Sequence, residues 1–268
     1  MSIVAVSQTY ASLGDEIGRE LARTLSYEFA DREIILQAAQ RFGQAVQELE
    51  HVTEERPSLW ERLTDTTRQY LTSVEAVVFE LASRDNMVLA GRGAPFSLRA
   101  VHHALCVRIS APERLRAERL GLGIEAGLDV VRRSDRERAA RVRFLYHVEW
   151  DDPMLYDLTL NTERLDILAS VRLIRDTLQH VRFQPTEASR NEVRDLAFAA
   201  RARAALLTNP LTQDLEVSVT CRNGELTLAG RVAAEDLRAE AEEAVGQLPG
   251  LGPVHNEISV VRPTHPGL

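Results

Sequence analysis

SIVAVSQTYASLGDEIG, residues 2–18, joins an apolar run, a polar loop and the beginning of a helical pattern. The run from Ile3 to Val6 predicts a buried strand, and Ile17, Leu21 and Leu25 recur at the spacing of an amphipathic helix. A loop between a strand and a helix is the usual position of a phosphate-binding loop, because the helix N-terminus presents free N–H groups to an anion. The stretch therefore predicts an α/β domain with a candidate phosphate loop.

The loop lacks much of the chemistry expected of such a site. Residues 7–14 contain one glycine, although several are needed for backbone N–H groups to converge on phosphates. Asp15 stands where a cation is expected, and all 32 basic residues of the chain are arginines. Two interpretations remain open: weak nucleotide binding, or a helix start capped by Asp15 with no anion bound. The candidate phosphate-loop residues are Ser7, Ala11, Ser12, Leu13, Gly14 and Asp15.

Composition limits the class of protein. The 268 residues, 44% of them hydrophobic, suffice for one medium and one small domain with buried cores. The net charge of −8 argues against general nucleic-acid binding, which leaves a basic footprint. There is no signal-peptide pattern and no apolar run of membrane-spanning length, so we expect a soluble, cytoplasmic protein. Cys106 and Cys221 lie far apart and are expected to be reduced thiols.

Strand-like and helix-like segments alternate over residues 1–183. Besides the strand at 2–6, short buried strands are predicted at 87–90, 105–109 and 156–160. Strands separated by helices predict a three-layer α/β domain with a parallel sheet.

A smaller module follows a polar, unpatterned linker at residues 184–191. Its pattern is a helix from about residue 192, a hairpin at the Asn223-Gly224 pair, a second helix and a last strand. We expect an α+β module of αββαβ order at residues 192–262, followed by a short tail at 263–268.

Three motifs carry a resemblance to a known family. Residues 7–18 are similar to a segment S-R-E-Y-G-S-G-G-R-E-I-G, and residues 90–92 match a V-G-R-type turn. The longest and most specific match is to W-x-D-P-x-x-Y-D-L-x-x-N-T, from Trp150 to Thr162. On these motifs, residues 1–183 resemble the cytidylate-kinase-like family of P-loop nucleoside monophosphate kinase folds. Relative to the family pattern, Ala11 and Leu13 replace glycines and Asp15 replaces an arginine.

The resemblance implies an ancestral chemistry and a set of substrate contacts. The chemistry is ATP-dependent phosphorylation of a pyrimidine monophosphate, with Mg²⁺ bridging the phosphates where activity is retained. A family turn that contacts the monophosphate gives Arg92 a phosphate-binding role, a surface ion pair being the alternative. Asp31 matches a family aspartate, although a helix cap explains it equally well. Asp157 and Asn161 are candidates for reading the base or ribose, or are plain strand-end residues.

Residues 131–143 hold six arginines and two acidic residues. In the related kinases, a lid of this type closes arginines over the transferring phosphate. Helical spacing separates Arg132 and Arg136 from Arg138 and Arg141, so the arginines cannot all reach one phosphate. Arg138, at the family's D-x-x-R spacing, is the first candidate for a catalytic lid contact, and Arg132 and Arg136 are the others.

The C-terminal module carries a second resemblance. Residues 224–232 match a G-x-V-x-L-x-G-x-V pattern, and residues 251–256 loosely match its G-V-x-x-V-x-N ending. On these, residues 192–262 look like a BON domain, a family associated with membrane-surface attachment and protein contacts. The segment holds eleven acidic residues and seven arginines, a net charge of −4 that opposes attraction to anionic lipid. A protein partner or a small ligand is therefore favoured over a membrane.

Two functional hypotheses follow. The first is a cytidylate-kinase-like enzyme that transfers a phosphoryl group from ATP. The second is a catalytically impaired nucleotide sensor or scaffold that acts through its BON-like module. No metal site is expected, because the His102-His103 pair has no cysteine or acid at metal-ligand spacing.

Overall fold

The computed structural model describes residues 2–42 and 65–261. The expected tail at 263–268 lies outside them. None of the helices in the described ranges is both long and apolar enough to cross a membrane.

A five-stranded parallel sheet forms the N-terminal module, with strand order β2-β3-β1-β4-β5. The central strands are buried on both faces by helices, which explains their continuous apolar runs. The predicted three-layer α/β fold is confirmed. The sheet also contains an additional strand, β2, whose three residues are too few to form a recognisable sequence pattern. The strands are β1 (Ile3–Gln8), β2 (Glu28–Ala30), β3 (Met87–Ala90), β4 (Ala104–Ser110) and β5 (Leu158–Asn161).

Helices cover both faces of this sheet. Ile3 and Ala5 of β1 point into one core, whereas Val4 and Val6 point into the other, as the alternation of a strand requires. The helices are α1 (Gly14–Leu25), α2 (Arg32–Phe42), α3 (Asp65–Ala82), α4 (Ala94–Leu98), α5 (Glu113–Leu120), α6 (Ile124–Tyr146) and α7 (Ile167–Leu178).

The strand order creates a crevice at the carboxyl ends of β1 and β3. The chain leaves β1 into α1, which packs on one face, and leaves β3 into α4, which packs on the other. Such a topological switch point is where open α/β sheets bind ligands. The predicted phosphate loop and the turn carrying Arg92 therefore meet at the same place.

The C-terminal module has the predicted αββαβ order. It contains α8 (Glu187–Thr208), β6 (Val217–Arg222), β7 (Glu225–Val232), α9 (Glu235–Gly246) and β8 (Val254–Val260). β6 is antiparallel to β7, and β7 is parallel to β8. The helix α8 begins within the expected linker at 184–191, because Thr186 and Ser189 form a capping box that starts it there.

The long helix α8 belongs to both modules. Its residues Val193, Ala197, Ala200 and Ala204 pack into the core of the N-terminal module, whereas Ala199, Ala202 and Leu206 pack into that of the C-terminal module. Arg190 adds an ion pair to Asp85 with a nitrogen–oxygen distance of 2.8 Å. Alanine on both faces allows close packing on each side, so the two modules share one structural element.

Candidate functional site

A cavity of about 390 Å³ lies at the carboxyl ends of β1 and β3, against α6. Its charged lining residues are Asp15, Asp31, Arg92, Glu137, Arg138 and Arg141. Its aromatic lining residues are Tyr10, Tyr70, Phe96, Tyr146 and Trp150. The cavity therefore combines charged groups with aromatic faces, as a site for a charged ring compound would.

The phosphate loop keeps a backbone conformation that favours glycine. Ala11 has φ of 58° and Leu13 has φ of 66°, both in the left-handed region. This conformation costs a residue with a Cβ about 1–2 kcal/mol. These are the two positions at which the related sequence pattern has glycine and this chain does not, so two non-glycine residues adopt a backbone conformation typical of glycine.

Side chains from other parts of the chain donate hydrogen bonds to the backbone carbonyl groups of the loop. Arg116 donates to the Tyr10 carbonyl and Arg119 to the Ala11 carbonyl, both at 3.2 Å. Thr162 Oγ1 donates to the Ser12 carbonyl at 2.9 Å. Ser12 is itself buried, and its hydroxyl donates to the Thr9 carbonyl, so it does not line the cavity.

The concave side of the loop is covered by a side chain. Gln8 Nε2 donates to Asp15 Oδ1 at 2.6 Å, which joins the two ends of the loop. A Cβ added to Gly14 would collide with the Gln8 side chain, so Gln8 packs directly over that glycine. The Asp15 carboxylate then faces the cavity at the N-terminus of α1.

Arg92 and Asp31 lie together in the cavity, just beyond the ends of β3 and β2. Arg92 has φ of 52°, and its Nε lies 3.4 Å from Asp31 Oδ1. That Nε is buried and has no hydrogen-bond partner within the described part of the chain. Burial raises the pKa of Asp31, an effect that Arg92 opposes and that the nearby Asp15 carboxylate reinforces. Arg92 thus lines the cavity, and its Nε–H group is a donor that could bind a ligand.

Two arginines of α6 face the same cavity. Burial lowers the pKa of Arg138, and the proximity of Arg92 lowers it further. The pKa of Arg141 is lowered to about 10, first by burial and then by Arg138 and Arg92, while Tyr70 opposes the shift. Three guanidinium groups therefore repel one another around this cavity while remaining charged at neutral pH.

The other predicted lid arginines lie outside the cavity. Arg132 is exposed and forms an ion pair with Glu113 at 2.8 Å, and Arg136 is exposed as well. Neither lines the cavity, because they occupy a different face of α6 from Arg138 and Arg141. Of the three predicted lid arginines, Arg138 alone lines the cavity, and Arg141 lines it beside Arg138.

Asp157 and Asn161 also lie outside the cavity. Asp157 Oδ2 accepts a hydrogen bond from the Cys106 backbone N–H at 2.8 Å. Asn161 Oδ1 accepts one from the Glu163 backbone N–H at 2.9 Å, which forms a local turn. Both side chains are thus used by the backbone around β5, which fits the strand-end alternative.

The long sequence motif supports the end of β1. Trp150 Nε1 and Arg108 Nη1 both donate to Ser7 Oγ at 2.9 Å. The Arg108 guanidinium lies 3.7 Å from the centre of the Trp150 ring, a cation–π contact, and Tyr156 donates to the Trp150 carbonyl. Ser7 lines the cavity from within this buried network.

Replacing Ser7 by alanine is expected to lower the free energy of unfolding by about 1–3 kcal/mol, because the buried donors of Arg108 and Trp150 would both lose their acceptor. Urea unfolding followed by tryptophan fluorescence measures this. Asn161→Ala, which removes one exposed local contact, serves as the comparison and should change stability by less than about 0.5 kcal/mol. Equal stability of S7A and the unchanged chain would contradict the role given to this hydroxyl.

The sequence did not indicate several residues that line the cavity. Arg141 had a detectable signal, since it lies three residues after Arg138 on one helix face. Tyr70 lies on α3, far from the other lining residues in sequence, and reaches the cavity through the packing of that helix. Gln8 lines the cavity because the shape of the loop lets its side chain reach Asp15. No group of three histidine, cysteine or acidic side chains placed to hold a metal occurs in the described ranges.

The parallel sheet and the loop at the end of β1 define an α/β domain with a candidate ligand site at the carboxyl edge of its sheet. A family model described as the cytidylate kinase-like family matches residues 3–164, and a BON domain model matches residues 194–262. The chain belongs to the cytidylate kinase-like family and carries a C-terminal BON domain.

Individual relatives agree with this at low identity. The cytidylate kinase of Pyrobaculum calidifontis is 25% identical over 181 residues, covering 66% of this chain and 92% of that protein. The cytidylate kinase of Methanosphaera stadtmanae is 28% identical over 100 residues, which covers 36% of this chain and 56% of that protein. A crystal structure of an uncharacterized protein from Eubacterium ventriosum has a TM-score of 0.51 at 15% identity, covering 66% of this chain and 98% of its own. That similarity concerns the fold.

Proposed function

We propose that the cavity binds a nucleoside monophosphate, and that the chain is a nucleotide sensor in which phosphoryl transfer from ATP is impaired. The observation that carries this is the convergence of Arg92, Arg138 and Arg141 on one cavity that Asp15, at the end of the loop after β1, also lines. The arginines correspond to an acceptor half of the site, and Asp15 to a donor half.

The arginine side suits a phosphate dianion. Guanidinium groups form paired hydrogen bonds to phosphate oxygens, and such charge-assisted bonds are the strong ones. Burial is the main cause of the lowered pKa of Arg138 and of Arg141, and repulsion by the neighbouring guanidinium groups adds to it. A bound phosphate would relieve this repulsion, so anion binding and the mutual electrostatics of the cavity favour each other.

The aromatic side suits a base. The Phe96 and Tyr146 rings lie 5.0 Å apart, and Tyr146 contributes to the wall near Gly93, where an added Cβ would collide with it. A volume of about 390 Å³ is at the small end of the range for ligand sites. Because the named relatives are cytidylate kinases, a pyrimidine monophosphate is the proposed ligand.

The donor side does not fit a triphosphate. Gln8 covers the loop above Gly14, and Asp15 adds a negative charge where the phosphates would lie. The chain has no lysine to pair with the β- and γ-phosphates. These features support impaired transfer, and ATP and Mg²⁺ would be used only if the loop rearranged.

A physical connection to the BON domain exists through two helices. Tyr70 of α3 lines the cavity, and α3 packs along α8, where Arg203 lies 3.6 Å from Glu75. Since α8 also forms part of the core of the BON domain, a change at Tyr70 has a short packed route to that domain. The BON domain is thus the proposed output of the sensor.

Isothermal titration with CMP and with ATP, each with and without Mg²⁺, tests the proposal. We expect CMP to bind at least tenfold more tightly than ATP, because only the acceptor half offers cations to the ligand. AMP serves as the control for the base. Tighter binding of ATP than of CMP would contradict the assignment of the two halves.

A second candidate is residual cytidylate kinase activity. The glycine-like loop backbone at Ala11 and Leu13, with its carbonyls held by Arg116 and Arg119, favours it. A coupled assay for ADP at high enzyme, ATP and CMP concentrations distinguishes the candidates. Turnover that depends on CMP would favour the enzyme, and CMP binding without turnover would favour the sensor.

A further inference from the structure

A groove of about 780 Å³ lies between α8 and the free edge of β6, apart from the nucleotide cavity. One wall is a face of α8, and the other is the five consecutive residues 219–223. Because side chains of a strand alternate between its two faces, five consecutive lining residues mean that the groove runs along the backbone edge. We call this the α8–β6 groove.

The edge of β6 offers unpaired backbone groups. Among the strands that the structure describes, β6 pairs with β7 alone, and the Asn223-Gly224 turn closes the pair Arg222–Glu225. In an antiparallel pair with this turn, Val219 and Cys221 direct their N–H and C=O groups away from β7. Within the described residues, these groups have no backbone partner, and one of them, the Val219 carbonyl, accepts a hydrogen bond from Arg203 at 3.3 Å.

The N-terminal part of the helix wall is acidic, whereas Arg203 lies further along the same helix and Arg222 lies on the strand wall. Glu187 and Glu192 are exposed, and neither forms an ion pair with a residue that the structure describes. Asp195 is already used, because it accepts hydrogen bonds from the Asn223 and Gly224 backbone N–H groups at 2.7 and 2.8 Å. Half-buried Leu196 supplies an apolar surface between them.

We propose that the α8–β6 groove binds an extended peptide segment of a partner protein, which adds to β6 as a further strand and places a basic side chain against Glu187 and Glu192. Strand addition is a recurring mode of peptide recognition, in which backbone hydrogen bonds give affinity and flanking pockets give selectivity. The inference goes beyond nucleotide binding and does not depend on it.

Charge selects this occupant over a second copy of the chain. Two copies paired antiparallel through β6 would place their Glu187 and Glu192 at opposite ends of the paired strands, and Arg203 of either copy is already engaged by Glu75 and the Val219 carbonyl. A basic peptide instead supplies the missing counter-charge. It also satisfies the backbone N–H groups of Val219 and Cys221 and the Cys221 carbonyl, which an exposed edge strand otherwise leaves free to pair with other chains.

Fluorescence anisotropy with two labelled seven-residue peptides tests the charge preference on the full chain. One peptide is Arg-Thr-Val-Thr-Val-Thr-Arg, and the other has glutamate at both ends. We expect the basic peptide to bind at least about tenfold more tightly. A basic peptide N-methylated at alternate amides should lose at least about tenfold in affinity, because it cannot complete a ladder.

Amide hydrogen exchange followed by NMR locates the bound strand. On adding the basic peptide, the amides of Val219 and Cys221 should gain protection, whereas those of Ser218 and Thr220, already bonded to β7, should not change. Protection of Val219 and Cys221 in the free chain that rises with protein concentration would identify a second copy as the occupant and overturn the proposal.

Charge reversal in the groove supplies the matched variant. Glu192→Arg should reverse the preference toward the acidic peptide, and Glu257→Arg, an equal change at an exposed position on β8, should leave it unchanged. Failure of both peptides to bind, or equal effects of the two variants, would overturn the proposal. Neither result bears on CMP binding, so the two proposals fail independently.

Discussion

Replacing Asp15 by arginine is expected to raise the affinity for ATP by at least tenfold. The substitution changes the charge beside the donor phosphates by two units and removes the hydrogen bond that holds Gln8 over the loop. Two unit charges 4 Å apart interact by about 1 kcal/mol in water and about 4 kcal/mol near a protein surface. Even the lower value, applied to two charge units, is about 2 kcal/mol, which corresponds to about thirtyfold in affinity.

Titration of the unchanged chain, Asp15→Asn and Asp15→Arg with Mg–ATP at one salt concentration measures this effect. The asparagine variant removes one charge unit and should give a smaller increase. Glu16→Arg is the matched control, since it makes the same charge change one residue further on, at an exposed side chain that does not line the cavity. Equal tightening by E16R and D15R would show a general charge effect and contradict the role given to Asp15.

The strands that are buried on both faces could be predicted from the sequence, because burial requires their residues to be apolar. β1, β3 and β4 are covered on both faces, so each is a continuous apolar run that can be recognised without knowing its neighbours. β2 has only the residues Glu28–Ala30, one of them exposed, and its place in the sheet depends on pairing with β3. A strand this short is defined by its partner and has no pattern of its own.

The start of α8 shows a second limit. Its first turn is exposed and polar, so residues 184–191 carry no helical periodicity. The capping box that starts the helix uses serine at the position where glutamate or glutamine is the recognised signal. The first residue of α8 is therefore set by the hydrogen bonds of the capping box, which cannot be recognised from the sequence pattern alone.

The candidate site was predictable in position but only partly in detail. Arg92 and Arg138 follow from motif spacing, and both line the cavity. Asp157 and Asn161 belong to an equally specific motif, yet their side chains bind backbone groups. A sequence motif can contain residues that stabilise the fold as well as residues that bind a ligand. The three-dimensional structure is needed to tell these two roles apart. The contact of Gln8 with Asp15 depends on the loop's shape and leaves no sequence signal.

Replacing Arg138 or Arg141 by glutamine is expected to reduce the affinity for CMP by about tenfold to a hundredfold each. A hydrogen bond to a charged group contributes about 1.5–3 kcal/mol, and both guanidinium groups line the cavity. Stability should respond in the opposite sense. Because burial and Arg92 already lower the pKa of Arg138, its charge is unfavourable in the folded chain at neutral pH. R138Q should therefore unfold at an equal or higher urea concentration than the unchanged chain.

Isothermal titration with CMP and urea unfolding, performed on the same four variants, separate a binding role from a structural one. Arg132→Gln and Arg136→Gln are the controls, because both arginines lie on α6 but outside the cavity. They should change CMP affinity by less than about twofold, since screened surface charges contribute little. If R132Q and R136Q weakened CMP binding as much as R138Q, the whole arginine-rich segment would act on the ligand. If R138Q lost stability together with affinity, the guanidinium would be a structural group, and the cavity would lose the feature that assigns it to a phosphate.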